Sequence, residues 1–74
     1  MKRIVRTIVS SEGSRKIEIY ERADGTFGFE HLKWGAPEKA WFPVGSTASR
    51  YPNADTAERE ARSRVEWASS AETN

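Results

Sequence analysis

The stretch RKIEIYERADGTFGFEHL, residues 15–32, constrains the fold more than any other part of this 74-residue chain. Apolar and polar side chains alternate on both sides of the turn sequence ADGT, as in two half-buried strands joined by a hairpin. A two-residue DG turn would place Ile19 opposite Glu30 and bury a carboxylate beside an isoleucine, which is unfavourable. We therefore predict a three-residue loop, 23–25, which places Ile19 opposite Phe29 instead.

The same register places Ile17 opposite His31 and requires Gly25 to adopt the left-handed conformation. The preceding segment KRIVRTIVS is rich in β-branched residues and predicts a first strand. A three-residue loop through Gly13 would pair Val5 with Ile19. The predicted inner face of the sheet then carries six apolar residues: Val5, Val9, Ile17, Ile19, Phe27 and Phe29.

The segment after residue 53 predicts one helix. Asp55 is a candidate N-cap, with Glu58 three residues later as in a capping box. Small apolar residues recur at nearly helical spacing and would let the helix lie close to the sheet: Ala57, Ala61, Val65 and Ala68. We predict an α+β fold, an antiparallel sheet of three strands with one C-terminal helix packed on one face. AWFPV is compatible with a short fourth strand at the sheet edge, where proline is tolerated.

Chain length and composition predict a single domain over residues 1–68, followed by a disordered tail, residues 69–74. The chain begins at Met1 with a charged, strand-like segment, and no run of apolar residues approaches the length of a membrane span. We therefore expect a cytoplasmic protein that does not enter a membrane. With no cysteine, disulfides and thiolate metal sites are excluded.

Three arginines in the predicted helix raise the question of nucleic-acid binding. Each has an acidic residue at four-residue spacing, as Arg62 has Glu58 and Arg64 has Glu60, and such pairs stabilise a helix by a few tenths of a kcal/mol. The formal net charge is only +1, whereas nucleic-acid-binding domains are usually strongly basic. We predict that the arginines form a solvated helix face. The strand sequence FGF resembles part of an RNA-binding motif, but both phenylalanines are assigned to the inner face.

Candidate catalytic and ligand-binding residues are few. His31 is the only histidine, and next to Ile17 we interpret it as an edge residue with a satisfied hydrogen bond. The serines occupy turns and the tail, and no phosphate-binding loop or nucleophile elbow is present in the sequence. We expect no enzymatic activity, no cofactor and no bound metal.

The opposite face of the sheet carries more apolar and aromatic side chains than one helix could cover. We predict an interface there, because exposed apolar patches mark interaction sites. Its candidate residues are Ile4, Ile8, Tyr20, Leu32, Trp34 and Trp41. Alternatively, the segment 35–50 folds back over this face, anchored by Trp41 and Phe42.

The function that these patterns favour is a non-catalytic module that binds another protein or self-associates as a homodimer. The alternative is weak nucleic-acid binding through basic groups of the first two strands: Lys2, Arg3, Arg6, Arg15 and Lys16. Affinity that falls steeply with salt would identify the alternative, because phosphate contacts release counterions.

The order of these features resembles the YegP-like family of small bacterial domains of unknown function. The resemblance covers residues 15–66 and is carried by IEIYERADGTFGFEHL, a short strand, and a tyrosine before the helix opening DTAEREA. It implies a unit of three antiparallel strands followed by one helix. It implies no active site.

Overall fold

The computed structural model describes residues 2–44 and 49–69. It contains one antiparallel sheet of four strands, in the order β1-β2-β3-β4. One helix and a short 3₁₀ helix follow the sheet in the chain. The elements are β1 (Arg3–Val9), β2 (Arg15–Glu21), β3 (Phe27–Gly35), β4 (Ala40–Pro43), α1 (Ala54–Arg64) and the 3₁₀ helix (Glu66–Ser69). The predicted α+β fold is confirmed, and the fourth strand is present.

The hairpin of β2 and β3 has the predicted register. Ile19 lies opposite Phe29, and Ile17 lies opposite His31. The Arg22 amide donates to the Thr26 carbonyl at 2.8 Å, which closes a three-residue loop. Gly25 within this loop has a φ of +85°. Alternation of apolar residues was therefore sufficient to select this pairing, because only one register buries both strands on the same side.

The first hairpin differs from the prediction by one residue over most of its length. Ile4 lies opposite Tyr20 as expected, but an irregularity between Ile4 and Arg6 shifts the rest of β1, and Ile8 lies opposite Ile17. This shift is a β-bulge at Val5, which reverses the side on which later residues project. Ile8 therefore lies on the helix side, and its assignment to the opposite face was wrong.

The bulge also corrects the composition of the predicted inner face. Val9 lies opposite Lys16 and projects away from the helix, so its assignment to the core was wrong. Val5 does pack against the core. The loop of this hairpin spans residues 11–14, because the Ser10 amide donates to the Arg15 carbonyl at 2.9 Å. The predicted three-residue loop is thus one residue too short.

The core lies between the sheet and α1. Ile8, Ile17 and Ile19 are fully buried, and Phe29 is nearly so. The predicted small-residue stripe of the helical segment is buried against them and is confirmed: Ala57, Ala61, Val65 and Ala68. Small side chains allow the helix backbone to lie close to the two phenylalanines of β3.

The N-cap of the helix lies two residues before the predicted cap. Asn53 is the N-cap, and its Oδ1 accepts a hydrogen bond from the Thr56 amide at 2.8 Å. Asp55 lies inside the first turn, where its carboxylate pairs with the Arg6 guanidinium at 2.7 Å. The prediction of Asp55 as the cap was therefore wrong. After Arg64 the backbone becomes extended at Val65, and the 3₁₀ helix returns the chain to the core.

The region after β3 runs beside that strand. β4 pairs with the C-terminal half of β3, and Tyr51 forms a bridge with Phe27 at the other end. Tyr51 is only 9% exposed and stacks on Phe29 with ring centroids 6.3 Å apart. The described part of this region thus extends the edge of the sheet. Residues 40–44 do not fold across a sheet face, as the alternative prediction for residues 35–50 required. Residues 45–48 lie outside the described residues, as do residues 70–74 of the predicted tail.

Candidate interaction surface on the outer face of the sheet

The outer face is the side of the sheet that α1 does not cover. Five predicted interface residues lie on it, as the strand pairings establish: Ile4, Tyr20, Leu32, Trp34 and Trp41. The sixth, Ile8, lies in the core for the reason given above. The outer face therefore combines one aliphatic residue on β1 with an aromatic group on each of the other three strands.

Two tryptophans form an aromatic pair on the outer face. Trp34 lies opposite Trp41 across the β3–β4 pair, with ring centroids 5.4 Å apart in an edge-to-face arrangement. Trp34 is 38% exposed. The Lys16 ammonium lies 4.5 Å from the Trp41 ring centroid, within the range of a cation–π contact. An amphipathic aromatic pair at the surface is typical of interaction sites.

A second aromatic group centres on Tyr20. The Lys2 ammonium and the Arg22 guanidinium lie 4.8 Å and 5.0 Å from its ring centroid. Its hydroxyl accepts a hydrogen bond from Arg22 at 3.0 Å. A Cβ placed on Gly28, the cross-strand partner of Tyr20, would lie 2.8 Å from that hydroxyl oxygen. The tyrosine ring therefore lies over the glycine, which gives this part of the face a defined shape.

Leu32 lies on the outer face but is not available to a partner. It is only 7% exposed. Its cross-strand neighbours are Lys16 on β2 and Pro43 on β4. Side chains directly opposite one another on a sheet lie close enough to cover a residue between them. Leu32 is thus covered within the face, while Ile4, at 42% exposure, is open at the other side of the face.

The charges of the outer face are of both signs and are paired. Lys16 lies 3.2 Å from Glu18, and Lys2 lies 3.9 Å from Glu30. Such exposed pairs contribute little to stability, about 0–1 kcal/mol each. Their arrangement does determine which partners the face would attract, because it presents neither a large positive nor a large negative field.

The side chain of His31 lies on the opposite, helix side of the sheet. Its Nε2 accepts a hydrogen bond from the Trp67 indole N–H at 3.2 Å. Burial lowers the pKa of His31, and the nearby positive charge of Arg15 lowers it further. The predicted satisfied hydrogen bond is confirmed, but the predicted edge position was wrong, because β3 lies between β2 and β4 inside the sheet.

The helix arginines are held by neighbouring groups. Arg62 lies 2.9 Å from Glu58 and donates to the Ala68 carbonyl at 2.5 Å. Arg64 lies 3.6 Å from Glu60. These contacts confirm the expected acid–base pairing at four-residue spacing for both residues. Arg6 of β1 joins the same network through Asp55 and Glu58.

Three residues of the outer face were not among the predicted interface residues: Lys2, Arg22 and Gly28. The glycine had a usable signal, because a glycine within a strand often marks the close approach of a large neighbour. Tyr51 was also missed as a core residue. Its sequence signal was weak, since it lies alone among polar residues and prolines.

In residues 2–44 and 49–69, no group of three or more His, Asp or Glu is arranged to hold a metal ion. No helix in the same residues is long and apolar enough to span a membrane. The chain matches no protein-family model, and comparison with curated proteins and with solved structures found no match. The resemblance to YegP-like domains therefore stays a prediction.

Proposed function

We propose that this protein is a non-catalytic interaction module and that its outer face binds a second copy of the chain. The observation that carries the proposal is the Trp34–Trp41 pair, which lies on a sheet face that α1 leaves uncovered and in which Trp34 is exposed. Tryptophan and tyrosine are enriched among the residues that dominate binding energy at protein interfaces. Ile4 adds an exposed aliphatic group at the far side of the same face.

The charge pattern favours a second copy as the occupant. The face holds Lys2, Lys16 and Arg22 together with Glu18 and Glu30, so two identical faces can meet with opposite charges in contact. A symmetric dimer uses the same patch on both subunits, which requires this kind of self-complementarity. A face of one charge sign would repel its own copy and would favour a partner of the opposite sign.

Light scattering over a range of protein concentrations tests the proposal. The wild type should form a dimer, and Trp34→Glu should give a folded monomer, because the new charge would be buried in the interface without a partner. Ile4→Glu should act in the same direction. Ser63→Glu introduces the same charge on the exposed side of α1 and should leave the dimer intact.

A wild type that remains monomeric at millimolar concentration would contradict self-association. So would a dimer that persists in both outer-face variants while circular dichroism shows that they are folded. These outcomes leave a different protein, or nucleic acid, as the occupant of the face.

Nucleic acid is the competing occupant, because Lys2, Lys16 and Arg22 lie over aromatic rings on which bases could stack. A titration with single-stranded DNA and RNA at increasing salt distinguishes it from protein binding. Affinity that falls steeply with salt and is lost in Trp34→Glu would favour nucleic acid. Arg59→Glu, on the exposed side of α1, is the control that should leave such affinity unchanged.

A further inference from the structure

The C-terminal end of the described chain is attached to the sheet by a contact that depends on one proton. The Trp67 indole N–H donates to the His31 Nε2 at 3.2 Å, and the two ring centroids lie 5.7 Å apart at an angle of 54°. A nitrogen that accepts a hydrogen bond carries no proton. His31 is therefore the neutral imidazole with its proton on Nδ1.

Besides this hydrogen bond, the buried side chains of Val65 and Ala68 and the packing of Trp67 against the core hold residues 65–69 in place. Trp67 lies in the 3₁₀ helix, where Ala68 is buried and its carbonyl accepts from Arg62. The backbone has already left the α-helical conformation at Val65, so the 3₁₀ helix is connected to α1 by an extended residue. Loss of the His31–Trp67 hydrogen bond would remove one attachment of this short segment at the end of the described chain, and such segments can open locally without unfolding of the sheet.

We propose that the His31–Trp67 pair is a pH-sensitive latch, which holds residues 65–69 on the sheet when His31 is neutral and releases them when it is protonated. Protonation places an N–H on Nε2, so two donors face each other and the hydrogen bond is lost. The new charge is also half-buried, which favours movement of the imidazole towards water.

The charged groups around His31 oppose the charged imidazole. Arg15 on β2 acts on it directly and, with burial, keeps its pKa below the usual value. On its own strand the nearest ionisable group on the same side is Lys33, which is exposed. β4 carries no ionisable residue. The latch therefore opens at a pH below that at which a free histidine titrates.

The other ionisable groups near residues 65–69 do not contact the Trp67 indole in the way that His31 does. Glu66 is the ionisable residue of the 3₁₀ helix, and it is exposed. At the end of α1, Arg62 and Arg64 are paired with Glu58 and Glu60. Histidine changes its charge in the interval from about pH 8 to about pH 5.

Nuclear magnetic resonance over this interval tests the latch. The Trp67 indole N–H signal should shift with the same midpoint as the His31 imidazole. Hydrogen exchange of the Ala68 amide should increase roughly tenfold or more on acidification, while that of the Ile17 amide in the core should change much less. The proposal would be overturned if the Trp67 indole signal did not change as His31 titrates. It would also be overturned if hydrogen exchange of the Ala68 and Ile17 amides increased equally.

Two variants separate the latch from a general loss of stability. His31→Gln retains a side-chain oxygen acceptor without a titratable group and should leave Ala68 exchange independent of pH once the intrinsic rate is corrected. Trp67→Phe retains an aromatic ring without the donor and should give fast Ala68 exchange at both ends of the interval. If either folded variant keeps the wild-type pH response, the His31–Trp67 hydrogen bond is not the latch.

Discussion

Tyr20 and Gly28 form a cross-strand pair in which the tyrosine ring occupies the space above the glycine Cα. A Cβ on Gly28 would lie 2.9 Å from Tyr20 Cζ and 2.7 Å from an Arg22 guanidinium nitrogen. Real Cβ atoms do not approach other atoms so closely, so any side chain at this position would displace the ring. The absence of a side chain at position 28 therefore determines where the Tyr20 ring lies, and with it the shape of the outer face.

Gly28→Ala should lower the free energy of unfolding by about 1–3 kcal/mol, the usual effect of overpacking. Urea denaturation measures this directly. The matched control is Gly28→Ala in a protein that already carries Tyr20→Ala, because removal of the ring creates space for the new methyl group. The alanine substitution should then be much less destabilising, and equal losses in both backgrounds would show that the contact is not the cause.

Phe29→Ala should lower the free energy of unfolding by roughly 3–5 kcal/mol. Phe29 is almost fully buried and stacks on Tyr51, so its removal leaves a cavity beneath α1. Phe42→Ala is the matched control on exposed β4 and should change stability by only about 0.5 kcal/mol. Thermal unfolding monitored by circular dichroism compares the two. Similar shifts would contradict the assignment of Phe29 to the core.

Arg6→Gln should destabilise the protein because it removes the cation from two carboxylates on α1. The guanidinium lies 2.7 Å from Asp55 and 2.9 Å from Glu58. These pairs are partly exposed, so the expected loss is on the order of 1 kcal/mol and should shrink as salt is added. Arg3→Gln, with one exposed partner in Glu21, should have a smaller effect. A salt-independent loss would indicate packing rather than charge as the cause.

Asn53→Ala should lower stability by about 1 kcal/mol, because the Thr56 amide loses its capping acceptor. Asn53→Gly should be milder by several tenths of a kcal/mol, since glycine is a tolerated N-cap. Denaturant titration of the two variants separates loss of the cap from loss of side-chain contacts. Equal stability of the alanine variant and the wild type would exclude Asn53 as the functional cap.

Acidification should reduce global stability through His31. Its pKa is lowered in the folded chain by burial and Arg15, so the unfolded chain binds the proton more readily. The stabilising contribution is complete above the unfolded pKa of about 6.5 and is lost as pH falls through the folded pKa. Urea denaturation at several pH values should show a flatter profile for His31→Gln. Identical profiles would assign the pH dependence to other groups.

The sequence by itself determined the β2–β3 hairpin and the buried stripe of the helical segment. In the hairpin, alternation with period two and the loop at Gly25 left one register that buried Ile19 with Phe29. In the helical segment, alanine spacing identified the side that faces the sheet. Both are local patterns, in which the residues that decide the structure lie within about twenty positions of one another.

Tertiary structure decided the register of β1 and the start of α1. Ile4, Val5, Ile8 and Val9 offer apolar residues to both faces, so the strand pattern does not select between registers. The bulge is compatible with burial of Ile8 against Ile17 and brings Arg6 to the carboxylates of α1.

Asp55 had the side chain of a cap, but its carboxylate pairs with Arg6, while Asn53 caps the helix. The Arg6–Asp55 contact joins residues that lie far apart in the chain, so only the folded arrangement could establish it. The outer face was likewise determined partly by the sequence and partly by the tertiary structure. The alternation of apolar and polar residues placed Tyr20 and Trp34 on it. The bulge then removed Ile8 from that face, and cross-strand packing over Leu32 and Gly28 determined its shape.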